Sequence, residues 1–144
     1  MPADLTDSQT EPRLTSLAHG GGCGCKLAPN VLADILSEMP LSLGHSDLIV
    51  DAGKSDDAAV YLINETTTLV ATTDFFTPIV DDPHTFGRIA ATNALSDIFA
   101  MGAKPIFCLA IVGMPIGKIA NETIRAILAG GRSVAEAAGA PIAG

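Results

Sequence analysis

The residues in this chain best suited to chemistry are Cys23, Cys25 and Lys26, in the stretch His19-Gly20-Gly21-Gly22-Cys23-Gly24-Cys25-Lys26. Four of these eight positions are glycine, the residue that loses most conformational entropy on ordering, so such a stretch usually serves unusual dihedrals or close approach to a ligand. Lys26, adjacent to Cys25 and three residues beyond Cys23, favours a thiolate, the form of cysteine that attacks electrophiles or binds metals. Reactive-thiol chemistry is the first hypothesis; an inert flexible loop and a metal ligand pair are the alternatives. A phosphate-cradling loop of the Walker type fails residue by residue. It needs glycine before the lysine and serine or threonine after it, where this chain has Cys25 and Leu27. Zinc is disfavoured because Cys23 and Cys25 lie closer than the usual two-to-four-residue spacer and the third cysteine, Cys108, falls in an apolar run.

A second constellation consists of aspartates at the ends of expected elements. Asp56 and Asp57 precede one apolar run, Asp74 follows another, and Asp97 lies four residues after Asn93 in a helical pattern. That spacing puts Asn93 and Asp97 on one helix face, among alanines and threonines small enough to admit a ligand or another backbone. Magnesium takes a few carboxylates together with phosphate oxygens and water, so carboxylates drawn from separate elements suit a metal-bridged triphosphate. Taken singly, each aspartate has an ordinary structural explanation, as a cap, a strand end or a solvated polar position. As a set beside the glycine-rich thiol loop, they point to metal–nucleotide binding.

The elements that must position these groups follow from periodicity. Pro29 to Met39 is expected as a short core helix, with Pro29 in the first turn and Val31, Leu32, Ile35, Leu36 and Met39 on one stripe. Ala58–Ile63 and Thr68–Thr73 are rich in strand formers and flank Asn64-Glu65-Thr66-Thr67, the pattern of a hairpin. Thr85–Met101 has helical spacing with Gly102 placed to end it. Pro105–Val112 lacks alternation and is expected as a strand buried on both faces. Asn121–Ala138 is expected as a helix softened by Gly130-Gly131, and Ala140–Ala143 begins a further strand. The order predicts an α/β (α+β) domain, a mixed sheet with helices on one face. A strand running into a glycine turn at Gly144 is where an α/β site would commonly continue, so a longer protein is expected.

Composition bounds the alternatives. At 144 residues, 48% hydrophobic and 17% charged, the chain can build one core and is not a disordered protein. Residues 1–12 are polar, acidic and proline-punctuated, as a disordered terminus would be, and have none of the regions of a signal peptide. Three cysteines without a disulfide framework suit a reducing compartment, so the cytoplasm is the expected location. The apolar run between Lys104 and Lys118 holds two prolines and is too short for a membrane span, so no membrane partner is expected. A net charge of −8 argues against nucleic acid, and a polyphosphate bound to so acidic a chain would need divalent cations.

The segments HGGGCGCK, SDDAAVY and TTDFFTPIVDDPHTFGRIAATNALSDIFAMGAKPI closely resemble the N-terminal half of the selenophosphate synthetase family, within the aminoimidazole ribonucleotide synthetase superfamily. The likeness runs from about Arg13 to Gly144, and the cysteine loop separates it from other members of the superfamily. It implies an enzyme using ATP, selenide and water to make selenophosphate, AMP and orthophosphate, with magnesium required. The family's nucleophilic cysteine falls on Cys23 and its essential lysine on Lys26, a nucleotide contact as well; Cys25 matches a second cysteine. Nucleotide contacts fall on Lys54, Ser55, Asp56, Asp74 and Asp97, and magnesium ligands on Asp57 and Asp97. The resemblance also implies a leader and glycine-rich cysteine loop over 1–27, a nucleotide-binding domain over 28–144 and a C-terminal domain beyond. Superfamily relatives dimerise by joining N-terminal sheets, so a homodimer is expected. An isolated nucleotide-binding and dimerisation module without turnover is the competing class.

Overall fold

A computed structural model describes residues 11–18, 20, 27–39, 45–51, 56–115 and 117–144. After a short 3-10 helix at Leu14–Leu17, the elements are helix α1 (Pro29–Ser37), strands β1 (Leu48–Val50), β2 (Ala59–Asn64) and β3 (Thr67–Ala71), and helices α2 (Pro83–Ala100) and α3 (Asn121–Ala137). The domain is mixed α/β, as its element order predicts.

The hairpin follows from β-branched residues on both sides of a tight connection. Strands β2 and β3 pair antiparallel with Val60 opposite Val70 and Leu62 opposite Thr68, and β1 adds to the far edge of β2 to give the order β1-β2-β3. Asn64 shapes the turn: its side-chain oxygen accepts from the Thr66 amide and the Thr66 hydroxyl, both at 3.1 Å, an Asx-type contact that competes well with strand geometry.

Helix α2 begins where Asp82 accepts the Thr85 amide at 2.7 Å and Pro83 occupies the first turn, its missing N–H costing nothing there. It ends at Gly102, whose φ of 68° lies in the left-handed region that side chains resist. Helices α2 and α3 then pack backbone to backbone. A Cβ on Gly87 would stand 1.8 Å from the Ile127 carbonyl oxygen, and one on Gly130 would stand 2.0 Å from that of His84. Gly130, one of the two glycines expected to soften α3, is therefore with Gly87 what lets the two helices touch.

The buried cluster is built around this crossing, from Leu14, Phe86, Ile119 and Ile127. Phe76 meets Phe86 edge to face, with ring centroids 6.0 Å apart, and packs against the cluster's margin. Leu14, only 3% exposed, brings the 3-10 helix into this core; burying such a side chain is worth roughly 1.5–3 kcal/mol.

Two expectations of burial fail. Pro105–Val112 makes no extended ladder: Cys108 forms one parallel bridge with Ile142, supported by Cys108 N–H to Pro141 and Ala110 N–H to Gly144. Its apolar side chains face outward, with Leu109 69% and Ile111 82% exposed, because among the described residues no element covers them. Val31, Leu32 and Ile35 of α1, and Met39 just beyond its end, are likewise exposed rather than core. A nine-residue helix is too short to be stable on propensity alone, and this one has no side-chain cap.

Candidate functional site

Where β3 ends, the chain continues without regular secondary structure through residues 72–78, and Thr72 and Asp74 meet α2 through their side chains. The Thr72 hydroxyl donates to Asp97 Oδ2 at 2.8 Å and lies 3.5 Å from the Asp57 carbonyl. One turn earlier on the helix, Asn93 Nδ2 donates to Asp74 Oδ2. Asp97 and Asn93 are half-buried, Asp57 is exposed, and Asp74 Oδ1 is buried.

Of the aspartates expected from the sequence, Asp74 and Asp97 are joined through Asn93 and Thr72 at one face of α2, and Asp57 approaches through its backbone carbonyl, its exposed side chain making no contact with theirs that the hydrogen bonds show. Asp56 stands beside them in an exposed turn, where its carboxylate accepts the Asp57 amide at 2.9 Å. Cys23, Cys25, Lys26, Lys54 and Ser55 lie outside the described residues. Thr72 was not singled out in the sequence, although its place two residues before Asp74 carried the signal.

The donor set is made of hard oxygens, from carboxylates, a hydroxyl and a backbone carbonyl, which suits magnesium rather than a softer metal. Among the described residues no three His, Cys, Asp or Glu side chains group as a self-sufficient metal site. A cation here would complete its shell with phosphate oxygens and water, as magnesium commonly does at nucleotide sites. Asn93 also lines an open groove of about 450 Å³ along α2, together with Thr85, Arg88, Ile89, Thr92 and Ser96. The groove carries one exposed guanidinium, that of Arg88, and Asn93 is the residue it shares with the hydrogen-bonded group around Asp74; the aspartates themselves do not line it.

A second cluster holds the segment that leads into the glycine-rich stretch. Asp81 accepts the Thr15 hydroxyl at 2.5 Å, the Thr15 amide at 3.0 Å and Arg13 Nε at 2.7 Å. The Thr15 hydroxyl, followed by the Arg13 guanidinium, holds the Asp81 carboxyl down to about 2. Asp82 is also lowered, through the Thr85 hydroxyl and amide it accepts at the start of α2. Further along, the Thr77 hydroxyl donates to the Gly20 carbonyl at 2.8 Å, and Glu11 accepts the Ala120 amide at 2.9 Å. Thr77 and Asp81 were not expected as functional positions; their partners lie 57 to 68 residues away, beyond any local pattern. The Cys108 thiol is partly buried, and that burial raises its pKa.

Residues 55–144 match the family model described as AIR synthase related protein, N-terminal domain. The chain is 62% identical over 133 residues to a protein of Burkholderia ambifaria named selenide, water dikinase, covering 92% of this chain and 38% of that protein. Proteins of the same name from Rhizobium meliloti and Pseudomonas straminea are 59% and 60% identical, covering 92% and 100% of this chain. The chain spans about two fifths of the length of these curated relatives.

Proposed function

Because the chain belongs to the AIR synthase related protein family through that family's N-terminal domain, we propose that it forms the nucleotide-binding part of a selenide, water dikinase. The reaction is the synthesis of selenophosphate from ATP, selenide and water, with release of AMP and orthophosphate. The observation that carries this proposal is the linked arrangement of Asp74 and Asp97 on α2, with the Asp57 backbone carbonyl near Thr72, in a chain about 60% identical to proteins bearing that name.

In this proposal Asp57 and Asp97 hold magnesium, which when bound neutralises triphosphate charge and polarises phosphoryl oxygens. Asp74 and Asp97, with Lys54, Ser55 and Asp56, contact the nucleotide. Asn93 fixes the Asp74 carboxylate and Thr72 that of Asp97, so neither has to reorganise when charge shifts during phosphoryl transfer. Cys23 supplies a thiolate to handle selenium, and Lys26 stabilises that thiolate and the neighbouring phosphate or selenide anion. Thiols kept reduced place this chemistry in the cytoplasm. Among the described residues no helix is long and apolar enough to cross a membrane.

Homodimerisation is part of the same proposal. Ile106, Phe107, Leu109 and Ile111 are each more than half exposed, a contiguous apolar stretch of the kind that association covers. The same observation favours the second reading, a nucleotide-binding and dimerisation module with no turnover of its own.

Phosphorus NMR of selenide-containing reactions separates these. The full-length protein is expected to make selenophosphate, and Cys23→Ser to lose it while retaining magnesium–nucleotide binding by calorimetry. Full production by Cys23→Ser would exclude an essential thiol, and nucleotide binding without any selenophosphate from the unmodified protein would favour the module.

A further inference from the structure

We propose that Thr72 is a positioning and specificity-determining residue that makes the Asp97 site favour magnesium over calcium, an inference that rests on the proposed role of Asp97 in holding a divalent cation. Thr72 follows β3 directly and is half-buried, and its hydroxyl donates to Asp97 Oδ2 at 2.8 Å. The Thr72 oxygen also lies 3.5 Å from the Asp57 carbonyl, beyond the usual range of an O–H···O bond. A hydroxyl has a single proton to give, so the shorter contact holds it. Thr72 thus stands between the Asp57 backbone and the Asp97 carboxylate, with its proton committed to the carboxylate.

That hydrogen bond acts on Asp97 in two ways. It fixes how the carboxylate is turned, on a helix already held by the close approach of Gly87 and Gly130 to the facing backbone of α3 and α2. It also engages Oδ2, so that Oδ1 is the oxygen Asp97 presents more fully to a cation. Calcium takes about six to eight oxygens in a flexible shell and often uses both oxygens of one carboxylate. Magnesium demands a tighter octahedral shell and keeps several waters, so one oriented carboxylate oxygen suffices for it. A carboxylate held by one oxygen therefore serves magnesium better, and one released to offer both serves calcium better. Removing a group that hydrogen-bonds a metal-ligating side chain typically changes metal affinity about 10- to 100-fold, enough for this contact to set a preference.

The test is calorimetric titration of the full-length protein with a nonhydrolysable ATP analogue, once with magnesium and once with calcium, read as the ratio of the two dissociation constants. A general loosening of the fold weakens both titrations and leaves their ratio in place. The parent is expected to bind the analogue at least about tenfold more tightly with magnesium. Thr72→Val keeps the shape and removes the donor, and should shrink that preference by about tenfold. Thr72→Ala removes the donor without setting a methyl group against the carboxylate, and should shrink it likewise. Thr72→Ser keeps the donor and should restore it. An unchanged ratio in whichever donor-less variant keeps the parent's circular dichroism, or Thr72→Ser as altered as Thr72→Val, would overturn the proposal. A parent that binds equally well with both ions would overturn this proposal alone, whereas one that binds the analogue with neither would overturn the nucleotide-binding reading and this proposal with it.

Discussion

The α2/α3 crossing and the segment 105–112 use apolar sequence in opposite ways. At the crossing, glycine on both helices brings backbone against backbone, and Phe86 and Ile127 are buried within the chain's own fold. In 105–112, the side chains with most to gain from burial, Ile106, Leu109 and Ile111, stand in the open, and one bridge to Ile142 is the segment's strand pairing. The first region is complete in itself and supplies a rigid helix from which Asn93 and Asp97 project. The second is an exposed apolar surface, the one that the proposed homodimer would cover. The fold is thus closely packed beside the candidate site and open along 105–112.

The sharpest way to break this contrast is to add one methyl group at the crossing. In Gly130→Ala the new Cβ would meet the His84 carbonyl, a backbone atom that cannot swing aside. A loss of about 3 kcal/mol or more is expected, at or above the upper end for overpacking, seen as a thermal midpoint lower by about 10 °C. Gly113→Ala, which meets open space at an ordinary φ, should melt like the parent. Equal midpoints for the two variants would show that the helices can separate freely, and the rigid-platform view would fall.

On the other side of the comparison, Ile111→Asp should leave folding within about 0.5 kcal/mol of the parent, since the residue is 82% exposed. It should weaken self-association at least about tenfold, equivalent to 1.4 kcal/mol. Sedimentation equilibrium reads both the parent and the variant. A parent that is a well-folded monomer at micromolar concentration would remove the need for a covering partner.

The smallest effect concerns the fastening of residues 13–15. The Asp81 carboxyl is held at about 2 against an ordinary 3.8, so the folded chain takes up this proton less readily than the unfolded one. Its stabilising contribution is complete above about 3.8 and is lost as pH falls toward about 2. Both partners are solvent-accessible, which screens the pair and keeps the effect small. Asp81→Asn should therefore flatten the acid limb of a stability–pH curve in that window alone. Superimposable limbs for the two proteins would mean that Asp81 contributes nothing to holding the segment.

Elements whose determinants are local were legible in the sequence. The helical period, Pro83 and Gly102 bracket α2 to within two residues, and β-branched runs around Asn64 locate the hairpin. Strand β1 was not expected, because three residues, Leu48–Val50, are too few to show a period. Burial of 105–112 was inferred from its lack of alternation, yet an unalternating run reports what a segment can bury and not whether a cover is present in the same chain. The site divides in the same manner. Asn93 and Asp97 announce themselves by helical spacing, and the aspartate set by its positions at element ends. Thr72, Thr77 and Asp81 act through partners 15 to 68 residues away, and a threonine's type says nothing about which distant oxygen it will reach.

The central claim is that Asp97, fixed by Thr72, helps hold a magnesium-bound nucleotide, and calorimetric titration with a nonhydrolysable ATP analogue tests it most directly. Asp97→Asn preserves side-chain volume and removes one hard anionic ligand. With magnesium present, the full-length protein is predicted to bind the analogue, and Asp97→Asn to bind it at least about tenfold more weakly with an unchanged circular dichroism spectrum. Equal, magnesium-dependent binding by the two proteins would contradict the account and leave the carboxylate with a structural role only.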